Sequence, residues 1–339
     1  MGVRADEAAA GGRPTEDALI ARYFAPLAGP GADGLRDDAA TLTPSPGHDL
    51  VLTADAIVAG VHYFPEDPPA SIARKALGVN LSDLAAKGAL PRGFLLTLAL
   101  PPDWTEAWLA GLADGLREAS GAFGCPLLGG DTVRAAGPAL LGITALGEVP
   151  AGRMVRRPTA QVGDRICVTG TIGDAALGLA LRLAPDAPWA ASLTEADRAH
   201  LLDRYLHPQP RLALAPALRR FASAAMDVSD GLVGDLAKML GGAGHGAAVS
   251  LPDIPLSPAA ARAVAAAPDL LDTVLTGGDD YEILCTVPPR HLDAFRGDAL
   301  EAGIAVAVIG SVEAGADAPV FRTGEGAPRT FAAGSFSHF

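Results

Sequence analysis

Along this chain the spacing of apolar positions switches repeatedly between alternation, which suits a strand, and a period near 3.6, which suits a helix. Strands are predicted at Asp49–Asp55 (DLVLTAD), Gly93–Leu100 (GFLLTLAL), Leu127–Asp131 (LLGGD) and Ala139–Val149. Between them, Ser71–Lys87 places Ile72, Ala76, Leu77, Leu81, Leu84 and Ala85 at helical spacing, and Thr105–Ala122 does the same. Gly88 and Gly124 are the expected stops of these two helices, because glycine accepts the left-handed turn that ends a helix. A second block repeats the mixture. Its strands are predicted at Asp164–Thr171, Ala224–Val228, Ala247–Leu251, Glu282–Val287 and Ile304–Ile309. Its helices are predicted at Asp174–Leu183, Thr194–Leu206, Arg211–Phe221, Leu232–Leu240, Pro258–Ala267 and His291–Ala302.

Pro150-Ala-Gly-Arg interrupts both periodicities and is the expected junction, giving a flexible segment 1–15 and two domains, 16–149 and 150–339. Each is expected to be α/β or α+β. A length of 339 residues agrees with about two domains. With 49% hydrophobic residues, each half can bury a core.

Charge narrows the function. Against 39 acidic residues stand 26 Lys and Arg, a net charge of −13, which argues against a nucleic-acid partner. No apolar stretch reaches the ~20 residues of a membrane span, and the N-terminal residues lack the order of a secretory signal. Cys125, Cys167 and Cys285 are scattered, and Cys167 and Cys285, in apolar runs, read as buried free thiols. A cytoplasmic protein is expected.

The informative residues are aspartates. Asp37 and Asp38 precede Ala-Ala, Asp55 ends an apolar strand, and Asp83 lies among the apolar residues of a helix. Asp131 follows Gly-Gly, Asp227 and Asp230 bracket Val-Ser, and Asp279 and Asp280 follow another Gly-Gly. Any one of these suits a turn or a helix cap. As a set, beside Gly, Ser and Thr, they suit a hard cation that takes oxygen ligands. Two carboxylates ~4 Å apart repel by about 4 kcal/mol at an effective dielectric near 20, and a divalent ion relieves that. The absence of His or Cys clusters disfavours zinc, leaving magnesium with a nucleotide as the chemical expectation.

Common nucleotide signatures are missing. There is no G-x-x-x-x-G-K-[ST], and Gly29-Pro-Gly-Ala-Asp-Gly34 matches G-x-G-x-x-G without a preceding strand. Two pairs of segments echo each other: Gly129-Gly-Asp131 with Gly277-Gly-Asp279, and Leu81-Ser-Asp83 with Val228-Ser-Asp230. Duplication of a half and chance are both open. Lys75 and Lys87 lie on the helix bearing Asp83; Lys87, four residues after Asp83, reads as an ordinary i,i+4 pair, and both lysines are left out of the expected site.

Seven motifs in order carry a resemblance. Asp37-Asp-Ala39, Thr53-Ala-Asp55 with Gly60-Val-His62, and Ala76-Leu-Gly-Val-Asn80-Leu-Ser-Asp83 resemble the thiamine-monophosphate kinase family. So do Gly129-Gly-Asp131-Thr132, Val168-Thr-Gly170-Thr-Ile-Gly173-Asp174, Met226-Asp-Val-Ser-Asp230-Gly231 and Gly277-Gly-Asp-Asp-Tyr-Glu282. The likeness runs from about residue 16 to Ser337-His-Phe339. It implies a two-domain fold like that of aminoimidazole ribonucleotide synthetase, a homodimer paired through N-terminal domains, and ATP-dependent conversion of thiamine monophosphate to thiamine diphosphate.

By matching positions it implies that Asp37, Thr53, Asp55, Asp83, Asp131, Asp227 and Asp230 hold several Mg²⁺ ions. It implies that Gly130, Asp131, Arg157 and Ser229 contact ATP, and that His62, Asp279 and Phe336 contact the thiamine substrate. Three positions depart from the family pattern: Arg36 where Gly commonly precedes the acid pair, Asp279 where Glu is frequent, and Phe336 where Tyr is also common.

Direct in-line transfer of the γ-phosphoryl is the expected reaction, and no covalent or general-base residue is expected, because a phosphate acceptor is already ionised near neutral pH. The alternatives are another ATP-dependent enzyme of the same superfamily and a non-catalytic nucleotide-binding relative. Selenophosphate synthetase would carry a reactive Cys near its start, whereas the first Cys here is Cys125.

Overall fold

The computed structural model describes residues 14–315, 317–331 and 334–335. The described residues divide into two compact units, the first reaching to 81 and resuming over 91–148, the second made of 82–90 and the residues from 149 onward. In the first, α1 (Glu16–Leu19) precedes β1 (His48–Val58), α2 (Pro69–Ala86), β2 (Leu90–Leu100), α3 (Glu106–Phe123), β3 (Leu127–Arg134) and β4 (Leu140–Pro150). The strands form one sheet in the order β1-β4-β2-β3, with β2 and β3 parallel.

Helix ends follow local chemistry. Thr105 caps α3 by accepting the Trp108 N–H at 3.2 Å, and Gly124 closes it at φ 63°. Helix α2 is nearly apolar all round: Ile72, Ala73, Leu77, Leu81, Leu84 and Ala85 are all at most 1% exposed. Such a helix is a core element, as its composition dictates. The buried Asn80 in it donates to Ala76 O at 3.0 Å and accepts the Asp55 N–H at 2.9 Å, fixing the middle of β1.

The second unit contains β5 (Arg165–Thr169), α4 (Asp174–Leu183), α5 (Glu195–Leu206), α6 (Ala215–Phe221), β6 (Ala224–Asp227), α7 (Leu232–Gly241) and β7 (His245–Ser250). It continues with α8 (Pro258–Ala266), α9 (Leu270–Thr276), β8 (Ile283–Val287), α10 (Leu292–Glu301), β9 (Val306–Ala314), β10 (Val320–Arg322) and β11 (Pro328–Arg329). The sheet order is β11-β10-β7-β9-β5-β8-β6. Its central strands pair antiparallel, and β10 joins β7 in parallel. Strand β8 is buried at every position, and β6 likewise. They read as continuous apolar runs because both faces are covered.

Several expectations shift. The helix expected over Arg211–Phe221 starts only at Ala215, after a tight turn at Leu212–Leu214, because Pro216 suits a helix's first turn and not its interior. Strand β4 continues through Pro150, so the interruption falls at the following turn. Helix α9 and strands β10 and β11 were too short for periodicity to signal. The echoes are not structural equivalents: Gly129-Gly-Asp131 lies inside β3, whereas Gly277-Gly-Asp279 is a turn after α9. Leu81-Ser-Asp83 is helical, and Val228-Ser-Asp230 precedes a helix. These segments give no support to duplication.

Candidate active site

In the first unit a cavity of about 880 Å³ is lined by Asp37, Asp38, Gly130 and Asp131, with apolar walls from Ile20, Phe24 and Leu96. Asp37 and Asp38 are exposed, and the Asp37 carboxylate accepts the Asp38 N–H at 2.8 Å. Asp131 stands opposite Thr97 in the β2–β3 register and is exposed on the same sheet face as Leu95 and Val133. Gly130 is required there: a Cβ would lie 2.0 Å from Leu96 O, so only glycine lets β3 run this close to β2. Arg36, where the family commonly has Gly, sits at φ −102° and so needs no glycine. Its guanidinium pairs with Asp33 at 2.9 Å.

Thr53 and Asp55 lie on β1 and do not line this cavity. His62 follows β1, and its Nδ1 accepts the Val58 N–H at 3.1 Å.

In the second unit a cavity of about 390 Å³ brings together Asp83, Asp227, Ser229 and Asp230 with Arg157. Five of the residues expected to act on metal or ATP therefore share one pocket. Asp227 ends β6 and is 6% exposed. Burial, then the charge of Asp83, pushes its carboxyl up to about 8, against the opposing pull of the Ser82 hydroxyl and Lys87. A carboxylate kept from ionising by its neighbours binds a cation with relief of strain.

Among the residues the structure adds to this pocket are Lys87, Asp235 and Lys238, beside Arg156. Lys87, left out of the expected site, donates to Ala225 O at 2.8 Å, and burial lowers its pKa while Asp227 and Asp83 resist. The i,i+4 spacing from Asp83 hid it. Asp235 is fully buried and its Oδ2 accepts the N–H groups of Ser229 at 3.1 Å and Asp230 at 2.9 Å. Lys238 Nζ donates to both Asp235 Oδ1, at 3.1 Å, and Asp230 Oδ2. The signal for Asp235 was an acid in the first turns of a helix that is apolar apart from Lys238.

Asp279 lies in the same unit but outside this cavity's lining, half-buried at φ 65° with Tyr281 at φ 51°. Two non-glycine residues in the left-handed region, with only Asp280 between them, are costly and mark a held conformation. Backbone bonds hold it: Asp279 N–H donates to Ser229 O and Tyr281 N–H to Val228 O, both at 2.8 Å. Asp280 Oδ1 accepts the Gly173 N–H at 2.8 Å, and its buried Oδ2 has no partner among the described residues. Burial holds that carboxyl well above the usual range. Phe336 lies outside the described residues.

Among the described residues no group of three or more His, Cys, Asp or Glu is arranged to hold a metal by itself. The Asp83–Asp227 pair with Asp230 nonetheless suits Mg²⁺, which uses one or two carboxylates and takes its other ligands from water and substrate phosphates. No helix among the described residues is long and apolar enough to cross a membrane.

Comparison with known proteins extends the site's chemistry. The AIR synthase related protein, N-terminal domain, matches residues 36–149, and the C-terminal domain of the same description matches 161–321. Thiamine-monophosphate kinase of Caulobacter vibrioides is 44% identical over 88% of this chain and 84% of its own length. The crystal structure of thiamine-monophosphate kinase from Stenotrophomonas maltophilia superimposes with a TM-score of 0.77 at 39% identity, covering 85% of this chain and 89% of that one. A structure described as AaThiL complexed with AMPPCP and TMP superimposes at 0.76 with 28% identity, covering 89% and 91%. With two AIR synthase related domains, and with this likeness across most of its length, the chain belongs to the thiamine-monophosphate kinase family.

Proposed function

We propose that this chain phosphorylates thiamine monophosphate to thiamine diphosphate by direct in-line transfer of the γ-phosphoryl group of ATP, with Mg²⁺. The observation that carries this reading is the pocket of the second unit, where Asp83, Asp227 and Asp230 face Arg157 and Ser229. The AMPPCP and TMP named with the AaThiL structure supply the ligand classes.

Donor and acceptor are both polyanions, and their repulsion is the first obstacle. Arg157 and Lys87 bring positive charge to the pocket, and Ser229 offers a hydroxyl at the mouth of α7. Mg²⁺, when bound, would neutralise phosphate oxygens and fix their alignment. Asp83, Asp227 and Asp230 would hold it in the second unit, and Asp37, Thr53, Asp55 and Asp131 in the first. Gly130 and Asp131 would meet ATP from a strand locked by its register with β2. His62, Asp279 and Phe336 would meet the thiamine substrate. Positioning then supplies most of the rate, because the acceptor phosphate needs no deprotonation.

The expected domains are 16–149 and 150–339, and Asp83 reaches from the first of them to the ligands Asp227 and Asp230 of the other. We further propose a homodimer through the first unit's sheet, in a cytoplasmic enzyme. Leu52, Leu95 and Val133 are 62%, 39% and 43% exposed on that sheet, a costly set of apolar side chains to leave in water. Light scattering on the eluting protein should give twice the chain mass; a monomer at micromolar concentration refutes the dimer.

Incubation with ATP, Mg²⁺ and thiamine monophosphate should release ADP and thiamine diphosphate in equal amounts. Turnover should stop with EDTA. Binding of both ligands in a single-turnover experiment without any diphosphate product would leave a non-catalytic relative instead.

A further inference from the structure

Lys238 has no place in the reaction outlined above, yet it pairs with Asp230, a carboxylate assigned to metal. Its Nζ donates to Asp230 Oδ2 and to Asp235 Oδ1, the latter at 3.1 Å. Asp235 is itself committed on its other oxygen to the N–H groups of Ser229 and Asp230. A closed ring results: the backbone of Asp230 is held by Asp235, Asp235 holds Lys238, and Lys238 holds the side chain of Asp230. The ring begins in the turn that precedes α7 and ends one helical turn past Asp235, so α7 sets its geometry.

The ring is not a sealed structural pair. The side chains of Lys238 and Asp230 are 41% and 37% exposed, whereas that of Asp235 is 1% exposed. Asp235 is the fixed post, and the other two reach solvent. Both line the same cavity as Arg156 and Arg157. An exposed lysine has several rotatable bonds and a compact charge that can exchange one anion for another.

We infer that Lys238 is a resident counter-ion of Asp230 that releases this carboxylate when the metal–nucleotide complex arrives and transfers its own bond to a nucleotide phosphate. The inference rests on the proposed reading of this pocket as the Mg–ATP site. It makes two demands of opposite sign. Before nucleotide binds, Lys238 competes with a divalent ion for Asp230 and weakens metal binding. Once nucleotide is present, the same ammonium strengthens binding by meeting a phosphate oxygen. A residue with only a structural role would not act in both directions.

The test compares the wild type with Lys238→Met, which keeps the length of the side chain and removes the charge, and with Lys238→Arg, which restores it. Mn²⁺ alone, titrated by electron paramagnetic resonance, should bind Lys238→Met about fivefold more tightly than wild type. The non-hydrolysable analogue AMPPCP, titrated by calorimetry at saturating Mg²⁺, should bind it about tenfold more weakly, and Lys238→Arg should recover most of that loss. Thermal unfolding establishes that the variants are folded. Unchanged or weaker Mn²⁺ binding by folded Lys238→Met overturns the inference, as does unchanged analogue binding. Failure of the wild type itself to bind AMPPCP would instead refute the reading of the pocket, so the two failures are separable.

Discussion

The two units carry their acids in opposite settings. In the first, Asp37, Asp38 and Asp131 are exposed along an open cavity. In the second, Asp227, Asp235, Asp280 and Glu282 are at most 6% exposed, each tied to particular neighbours. Exposed carboxylates keep their hydration and ask little of the fold. Buried ones must be paired, hydrogen-bonded or neutralised, or folding bears the cost. Substitutions in the first unit should therefore change ligand chemistry alone, and those in the second should change chemistry and stability together.

Glu282 tests this contrast most severely. It accepts from Arg204 at 2.7 Å, from Arg211 Nε at 2.6 Å and from Thr169 at 2.7 Å, with no exposed surface. Glu282→Ala would leave two guanidinium groups without their partner, and a broken buried pair costs about 3–5 kcal/mol. Urea unfolding should show the loss. Asp131→Ala should shift the same transition by no more than about 0.5 kcal/mol while lowering turnover by roughly a hundredfold or more. Equal denaturation midpoints for Glu282→Ala and wild type would break the contrast.

A smaller effect is expected at Gly278. It is buried at φ 73°, and a Cβ there would stand 2.3 Å from Ser229 O. Gly278→Ala should cost about 1–3 kcal/mol and raise the KM for thiamine monophosphate, because the turn that carries Asp279 rests on Ser229. An unchanged KM in a folded variant would separate this turn from the substrate.

These two glycine-rich segments also show what the sequence could and could not disclose. Gly-Gly-Asp occurs twice, and no local property distinguishes a strand that needs close approach at Gly130 from a turn that needs positive φ at Gly278. Their partners, Leu96 and Ser229, are 34 and 49 residues away in the chain. Long periodic elements such as α2 and α3 were legible because burial of one helix requires many regularly spaced apolar residues. Within the site, the spacing of Asp227, Ser229 and Asp230 was visible, since all three flank one helix start. Lys87 and Lys238 were not, because a lysine that reaches a carbonyl or a carboxylate across a pocket has the same local context as one in solvent.

Asp227 offers a comparison through pH. Its folded pKa, about 8, lies above its unfolded value, so its neutral form is favoured in the fold. This contribution is fully present below the unfolded pKa near 3.9 and is lost as pH rises through about 8. The ligand-free protein should lose roughly 1 kcal/mol or more from this group on approaching pH 8, seen as a Tm lower by about 2–4 °C. Asp227→Asn should remove that part of the slope. Parallel Tm–pH curves for variant and wild type would show that the carboxyl is not held neutral.

The mildest test uses a buried acid whose shift runs the other way. Asp197 begins α5 in a reciprocal cap with Thr194: its N–H donates to Thr194 Oγ at 3.1 Å, and its Oδ2 accepts the Thr194 N–H at 2.9 Å. Arg262 reaches it from α8, with Nε at 2.9 Å from Oδ2. The Arg262 bond, then those from Thr194, holds its carboxyl down at about 2. Stability from this group is present above the unfolded pKa and is lost as pH falls through about 2. Asp197→Asn should therefore unfold at a slightly lower temperature than wild type at pH 7, with the gap closing between pH 4 and pH 2. Asp227→Asn should show its difference at the alkaline end instead. Thermal melts of the two variants across one pH series would place their gaps at opposite ends if burial and the charge of Asp83 raise Asp227 while hydrogen-bonding partners lower Asp197; a gap on the same side for both would mean that the setting of each acid does not govern its charge.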